Sequence, residues 1–105
     1  MIQVVSIFNF DTTKRSLEEW ERYYTEEYVH NLRKAPGLAR YIVGKTVKLG
    51  HADTTYYRVA TLFYEDLEAF RRASASPEGR EAGRMMQEMA PNSKLYVIDA
   101  QDVEP

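Results

Sequence analysis

The feature that most constrains the fold is a set of short segments in which both alternating faces are apolar. In TYYRVATLFY (residues 55–64), one face carries Val59 and Phe63, and the opposite face is equally apolar. IQVVSIFNF (residues 2–10) and KLYVIDA (residues 94–100) show the same pattern. Because successive side chains of a strand point to opposite faces, a sheet made of these segments must be covered on both sides.

Two helical segments alternate with these strands. The first starts at a capping box, SLEE at residues 16–19, and ends at the Pro-Gly of residues 36–37. Its apolar stripe runs for about five turns through Leu17, Trp20, Tyr24, Tyr28, Leu32 and Ala35. The second helix starts at Leu67 and is interrupted at Ser-Pro-Glu-Gly (residues 76–79), where we expect Ser76 to cap the resumed helix and Pro77 to take its first position.

With a further strand at residues 38–49, the order is βαββαβ, which predicts an α+β ferredoxin-like fold: an antiparallel four-stranded sheet with two helices on one face. The helices cover only that face. The simplest cover for the other is a second copy of the chain, so we expect a homodimer paired through its sheet faces.

Composition excludes several classes of function. The 105 residues predict one domain over residues 1–105, and the net charge of −2 comes without a basic stripe, so no nucleic-acid partner is expected. The absence of cysteine excludes thiolate metal sites and disulfides. No segment is long and apolar enough to cross a membrane, so we expect a cytoplasmic protein.

An ordered set of short motifs resembles the EthD-like family of the dimeric α+β-barrel superfamily. The matching residues are Trp20, Tyr23-Tyr24, Pro36-Gly37-Leu38-x-x-Tyr41, Leu67-x-x-Phe70 and the Ser-Pro-Glu-Gly break. The resemblance implies homodimers with a cleft between helices and sheet. It also implies a role in oxidative breakdown of small organic compounds, in muconolactone-type isomerisation or in polyketide tailoring.

The resemblance also implies positions for the site. The family's helical histidine usually lies eight residues before the Pro-Gly, a position that Tyr28 occupies here, two residues before His30. The family's strand tyrosine is Tyr41. The second histidine of isomerase members falls at or near Thr54, three residues beyond His51.

Two tyrosines are candidate catalytic residues. Tyr28 lies on the apolar stripe, and Tyr41 faces the helices if its neighbour Arg40 faces the other way. A phenol at either position can donate a hydrogen bond to a substrate carbonyl or a developing enolate, but at pH 7 it is a poor base. The alternative is that both are core residues.

The two histidines are candidate acid–base residues. On a continuous α-helix His30 lies about 140° from the centre of the stripe, in water beside Tyr23, unless a kink turns it inward. His51 lies in a Gly-His-Ala-Asp loop, where exposure is usual. Glu27 and His30 have the i, i+3 spacing of carboxylate-bridged metal sites, but those sites need further pairs, so no metal and no other cofactor is predicted.

Trp20, Tyr24 and Tyr57 complete the predicted site as substrate-binding aromatic residues. We therefore expect a small protein that binds a cyclic or aromatic organic metabolite in the cleft and acts as a cofactor-independent enzyme, of the oxidoreductase or the isomerase/cyclase type. One alternative is a non-catalytic binding protein for a hydrophobic small molecule. Another is a haem- or quinone-directed monooxygenase of the same superfamily.

Overall fold

The computed structural model describes residues 1–47, 50 and 58–105. Its elements are β1 (Ile2–Phe8), α1 (Leu17–Tyr23), a π-helical turn (Tyr24–Tyr28), α2 (Val29–Leu32), β2 (Arg40–Lys45), β3 (Arg58–Tyr64), α3 (Leu67–Ala75), α4 (Pro77–Met89) and β4 (Lys94–Asp99). The strands pair antiparallel in the order β2-β3-β1-β4. The predicted ferredoxin-like α+β fold is confirmed.

The first helix begins as predicted and then departs from α-helical geometry. The Ser16 hydroxyl accepts a hydrogen bond from the Glu19 amide at 3.1 Å, and the Glu19 carboxylate accepts one from the Ser16 amide at 3.4 Å. After Tyr23 the turn widens, so that the Val29 amide donates to the carbonyl of Tyr24, five residues earlier. Helical geometry stops at Leu32 rather than at residue 35.

The second predicted helix is two helices that share one residue. Ser76 ends α3 and caps α4, because its hydroxyl oxygen accepts from the Gly79 amide at 3.0 Å. Pro77 takes the first position of α4, where its missing N–H leaves no partner unsatisfied. The predicted cap and break are confirmed. A hydrogen bond from the Asn31 side-chain amide to the Glu78 carbonyl, at 3.0 Å, connects α2 to the start of α4.

The core lies between the helices and one face of the sheet. The residues of β1 and β3 that face the helices are buried, and they are Ile2, Val4, Ser6, Phe8, Ala60, Leu62 and Tyr64. The helices contribute Trp20, Tyr24, Tyr28, Leu32, Ala73, Ala82, Met85 and Met89. This arrangement matches the predicted division of each strand into two faces.

Two residues of the first helix contradict the stripe prediction. Leu17, at the first helical position, is 58% exposed. Tyr23, predicted to face water, is buried because its ring packs edge-on against Trp20, with centroids 5.5 Å apart, and lies beneath the guanidinium of Arg15 at 5.0 Å.

The sheet face opposite the helices has apolar side chains on all four strands. Val5, Ile7, Val59 and Phe63 are half-buried on it, whereas Ile42, Tyr96 and Ile98 are 40–49% exposed. The edge strand β4 is exposed along its whole length. Over the described ranges, no helix combines the length and the apolar character that crossing a bilayer requires.

Candidate functional site

A cleft of about 210 Å³ lies between the helices and the inner face of the sheet. Every layer contributes to its lining, which includes Val4, Ser6, Tyr28, Leu32, Leu62, Tyr64, Phe70, Ser74, Ala82, Met86 and Leu95. Most of these side chains are apolar, and the polar groups are hydroxyls. The cleft can therefore exclude water from a small apolar molecule while offering a few hydrogen bonds.

The π-helical turn positions Tyr28 in this cleft. The Tyr24 and Tyr28 rings stack with centroids 5.3 Å apart and an interplanar angle of 19°. Across the cleft, Tyr64 packs on Phe70 at 5.4 Å. The Tyr28 side chain lines the cleft, so its phenol can serve a bound molecule.

Burial decides the protonation state of the cleft phenols. Desolvation raises the pKa of Tyr28 far above its usual value, and the charges of Tyr24 and Tyr64 add to the increase. Burial also raises the pKa of Tyr64. Both side chains are therefore neutral phenols at physiological pH. They can donate hydrogen bonds, but they cannot act as bases.

Tyr24 and Tyr41 form a hydrogen-bonded pair behind Tyr28, with their hydroxyl oxygens 2.9 Å apart. Burial raises the pKa of both. The guanidinium of Arg58 lies 4.8 Å above the Tyr24 ring and opposes this increase for both phenols. The hydrogen bond lowers the pKa of Tyr24 and raises that of Tyr41, so Tyr24 is the member of the pair that can ionise more readily.

The structure brings only some of the predicted site residues together. Of the predicted residues that the structure describes, Tyr28 alone lines the cleft. Tyr24 is 2% exposed and contacts the cleft through the Tyr28 ring. Tyr41 is half-buried at a surface groove beside Val29 and Leu38.

Trp20 and His30 lie apart from the cleft. Trp20 is fully buried, and its indole N–H donates to the Asp11 carbonyl at 2.7 Å, which is a structural contact. His30 is exposed, as a continuous helix predicts, and it is not among the cleft-lining residues. His51 and Tyr57 lie outside the described residues, so their roles stay predictions. Among the described residues, no group of three or more His, Asp or Glu side chains could hold a metal ion.

Two residues with evident roles are missing from the predicted site. Tyr64 lines the cleft, and strand alternation puts it on the same face as Leu62. Arg58 starts β3 and stacks on Tyr24 and Phe10. Its signal in the sequence is a single cation within an otherwise apolar strand.

Comparison with known families identifies the chain. The model of the EthD domain matches residues 13–90, which include α1, the π-helical turn, α2, α3, α4 and strands β2 and β3. The chain belongs to the EthD domain family. A sequence relative is an uncharacterised 11.0 kDa protein from the thcB–thcC intergenic region of Rhodococcus erythropolis, 27% identical over 82 residues that cover 78% of this chain and 77% of that protein.

Solved structures share the fold at low sequence identity. An EthD family protein from Bacillus halodurans superposes with a TM-score of 0.82 at 20% identity, covering 96% of this chain and 99% of that one. A dimeric ferredoxin-like protein of unknown function from Thermobifida fusca gives 0.69 at 20% identity, covering 92% and 88%. SnoaB, a cofactor-independent oxygenase from Streptomyces nogalater, gives 0.66 at 18% identity, covering 99% and 96%.

Proposed function

We propose that this EthD-family protein binds a single-ring organic molecule in the helix–sheet cleft and acts on it as a cofactor-independent enzyme, of the oxidoreductase or the isomerase/cyclase type. The observation that carries the proposal is the Tyr28 phenol, which is buried and lines the cleft. Family membership and the fold shared with a cofactor-independent oxygenase support the choice of class.

The size of the cleft limits the ligand. Its volume of about 210 Å³ exceeds the roughly 150 Å³ of an apolar cavity known to accommodate benzene, but it is smaller than the roughly 300–1,000 Å³ typical of drug-sized ligands. A single substituted ring therefore fits, whereas a fused polycyclic molecule would require the cleft to widen.

The chemistry of the lining favours stabilisation of a substrate oxygen. As a ring carbonyl or hydroxyl becomes enolate-like, its negative charge would be stabilised by the neutral Tyr28 phenol in a desolvated site. The described lining contains no His, Asp or Glu. In this proposal the proton acceptor is one of the predicted histidines, His30 or His51, and the Tyr24–Tyr41 pair orients Tyr28 from behind.

Binding can be tested with acetophenone, a single ring with one carbonyl, against ethylbenzene, which lacks that carbonyl. We expect acetophenone to perturb the NMR signals of cleft residues such as Ser74 and Leu95. Tyr28→Phe should weaken acetophenone about 2- to 10-fold, the value of one hydrogen bond, and leave ethylbenzene unchanged. Tyr23→Phe, a buried tyrosine of the same helix outside the cleft, is the matched control. Equal weakening of both ligands would argue against the hydrogen bond.

Catalysis needs a separate assay. Molecules extracted from the purified protein and identified by mass spectrometry give a first set of substrates. Oxygen uptake and product isomerisation would then be measured without any added cofactor. We expect Tyr28→Phe to reduce kcat, and the alanine variant of whichever histidine accepts the proton, His30→Ala or His51→Ala, to reduce it as well. If Tyr28→Phe, Tyr41→Phe and both histidine variants all keep full turnover, the enzymatic assignment is wrong.

A second candidate function is non-catalytic binding of the same kind of molecule. The exposure of His30 and the absence of an acid–base residue from the described lining favour it. A ligand that is recovered unchanged after prolonged incubation in air would support it. The weaker alternative of a haem-directed monooxygenase predicts that the Soret band of haemin shifts and sharpens when the protein binds it, and a spectrum that the protein leaves unchanged would exclude this alternative.

We further propose that the protein is a homodimer paired through the outer face of its sheet. The exposed Ile42, Tyr96 and Ile98 form an apolar face with their half-buried neighbours, and faces of this kind mark interfaces. The fold shared with a dimeric ferredoxin-like protein supports this proposal.

Sedimentation analysis can test the dimer. Ile42→Lys would place a charge in the interface and should raise the dissociation constant at least 10-fold, because an unpaired charge is costly to bury. Leu67→Lys is the matched control, because Leu67 has the same exposure of 41% but begins a helix, away from the sheet face. A wild-type monomer at micromolar concentration would refute the proposal.

A further inference from the structure

A second hollow of about 480 Å³, here called the basic recess, opens at one end of the sheet. It lies where β1 and β2 end and β3 begins, since Phe8 and Lys45 both pair with Arg58. Its described lining is Asn9, Phe10, Thr12, Leu17, Glu21, Lys45 and Arg58. None of these residues lines the helix–sheet cleft, so the recess is a distinct site.

Arg58 is held in place by aromatic rings at the wall of the recess. Its guanidinium lies 5.2 Å from the Phe10 ring centre and 4.8 Å from that of Tyr24, and its side chain is only 12% exposed. It forms an ion pair with Glu21. Ring contacts on a planar cation fix its orientation, so little conformational entropy is lost when an anion binds.

The charges of the recess do not cancel. The ammonium of Lys45 lies 3.8 Å from the same Glu21 oxygen that pairs with Arg58. Two cations therefore share one carboxylate, which leaves one positive charge in excess. Two apolar side chains, Phe10 and Leu17, line the recess beside these cations. Leu17 is 58% exposed although it is a large aliphatic residue. A cation next to uncovered apolar surface suits an amphipathic anion.

We propose that the basic recess binds a small organic anion with one carboxylate and an apolar ring or chain. The carboxylate would lie beside the guanidinium of Arg58, which matches the planar geometry of a carboxylate, and near the ammonium of Lys45. The apolar body would cover Phe10 and Leu17. Asn9 and Thr12 supply further polar groups at the rim. This site goes beyond the cleft and does not depend on the function proposed for it.

The same residues could instead form a purely structural ion-pair network, which would not prefer an anion to a neutral molecule. If Arg58, Glu21 and Lys45 only stabilise the fold, benzoate and its neutral isostere benzamide should behave alike. If the recess is an anion site, charge should decide affinity. Inorganic phosphate separates general attraction of anions from recognition of the apolar body, since it carries charge without a ring.

The experiment is a ¹H–¹⁵N NMR titration of the full chain with benzoate, benzamide and phosphate. We expect benzoate to shift the amide signals of Asn9, Thr12 and Lys45 with a dissociation constant on the order of 1–10 mM. Benzamide and phosphate should each bind at least 5-fold more weakly. Raising the salt concentration to 1 M should weaken benzoate, because the contact with Lys45 is solvent-exposed.

Lys45→Gln tests the site with little risk to folding, because the Lys45 side chain is 63% exposed. It should weaken benzoate about 2- to 5-fold, the effect of one exposed ion pair, and leave benzamide unchanged. Lys34→Gln, an exposed lysine outside the recess, is the matched control and should change neither. Equal affinity for benzoate and benzamide, equal effects of the two lysine variants, or shifts confined to the cleft signals of Ser74 and Leu95 would each overturn the proposal.

Discussion

The joint between α3 and α4 gives the sharpest test of the packing that forms the cleft. A Cβ built on Gly79 would lie 2.0 Å from the carbonyl oxygen of Ala73 and 3.0 Å from the Cα of Ser74. All the nearest atoms belong to the backbone, so no side chain can rotate away. Gly79→Ala therefore forces α3 and α4 apart by more than 1 Å, which is overpacking that typically costs about 1–3 kcal/mol.

The same movement would also disturb the cap that joins the two helices. The Ser76 hydroxyl donates to the Ala73 carbonyl at 2.5 Å and accepts from the Gly79 amide at 3.0 Å, and loss of such a cap costs about 1 kcal/mol. Alanine regains up to about 1 kcal/mol of helix propensity. The balance is a free energy of unfolding lower by about 1–3 kcal/mol, and a melting temperature lower by roughly 4–8 °C for each kcal/mol.

Gly83→Ala is the matched control, because a Cβ built on Gly83 meets nothing within 4 Å in the same helix. It should raise the free energy of unfolding by about 0.5–1 kcal/mol through propensity alone. Urea denaturation monitored by circular dichroism would measure both variants. If Gly79→Ala leaves the free energy of unfolding unchanged or raises it, the close approach of the two helices does not limit what residue 79 can be, and the prediction is wrong.

Two further predictions concern the tyrosines. Tyr24→Phe and Tyr41→Phe should each lower the free energy of unfolding by about 0.5–1.5 kcal/mol. The double variant should lose less than the sum of the two, because both variants remove the same hydrogen bond. Additive losses in urea denaturation would contradict the pairing. Burial raises the pKa of four tyrosines, Tyr24, Tyr28, Tyr41 and Tyr64. Above about pH 10 the unfolded chain therefore releases these protons while the native chain keeps them. Their contribution to the free energy of unfolding is complete below about pH 10 and is lost as the pH rises above it. Absorbance at 295 nm should therefore show part of the tyrosine ionisation coinciding with alkaline unfolding, and a tyrosine titration completed before any loss of circular dichroism would refute this.

The fold was predictable because local signals along the chain agree with one another. The capping box at Ser16, the cap and proline at Ser76 and Pro77, and strand alternation each specify an element independently of tertiary contacts. Alternation also grouped Leu62 and Tyr64 on one face of the strand, and the structure shows that this is the face the helices bury. The outcome at Tyr23 differed because a ring on a predicted wet face can still be covered by long neighbours such as Arg15.

The candidate site was less predictable because its chemistry depends on distant contacts. Nothing local to Arg58 indicates that it will stack on Phe10 and pair with Glu21, which precede it by 48 and 37 positions (58 − 10 and 58 − 21). Tyr28 was predicted from the family's motif, and the structure adds that its phenol lines a nearly apolar cleft. Exposure of His30 follows from helical periodicity, whereas the proximity of Tyr24 to Tyr41 requires the folded sheet.

The π-helical turn shows why a periodic pattern alone could not complete the site. A pattern of period 3.6 predicts an uninterrupted α-helix through Tyr24 and Tyr28, yet the chain widens to a five-residue turn between them. Such turns are rare and are frequently found at functional sites. Here two interactions stabilise the turn: the Tyr24–Tyr28 stack within it, worth about 0.5–1.5 kcal/mol, and the tertiary hydrogen bond between Tyr24 and Tyr41. Because both interactions involve residues of the proposed site, replacing those tyrosines should change the geometry of the turn as well as the chemistry of the cleft.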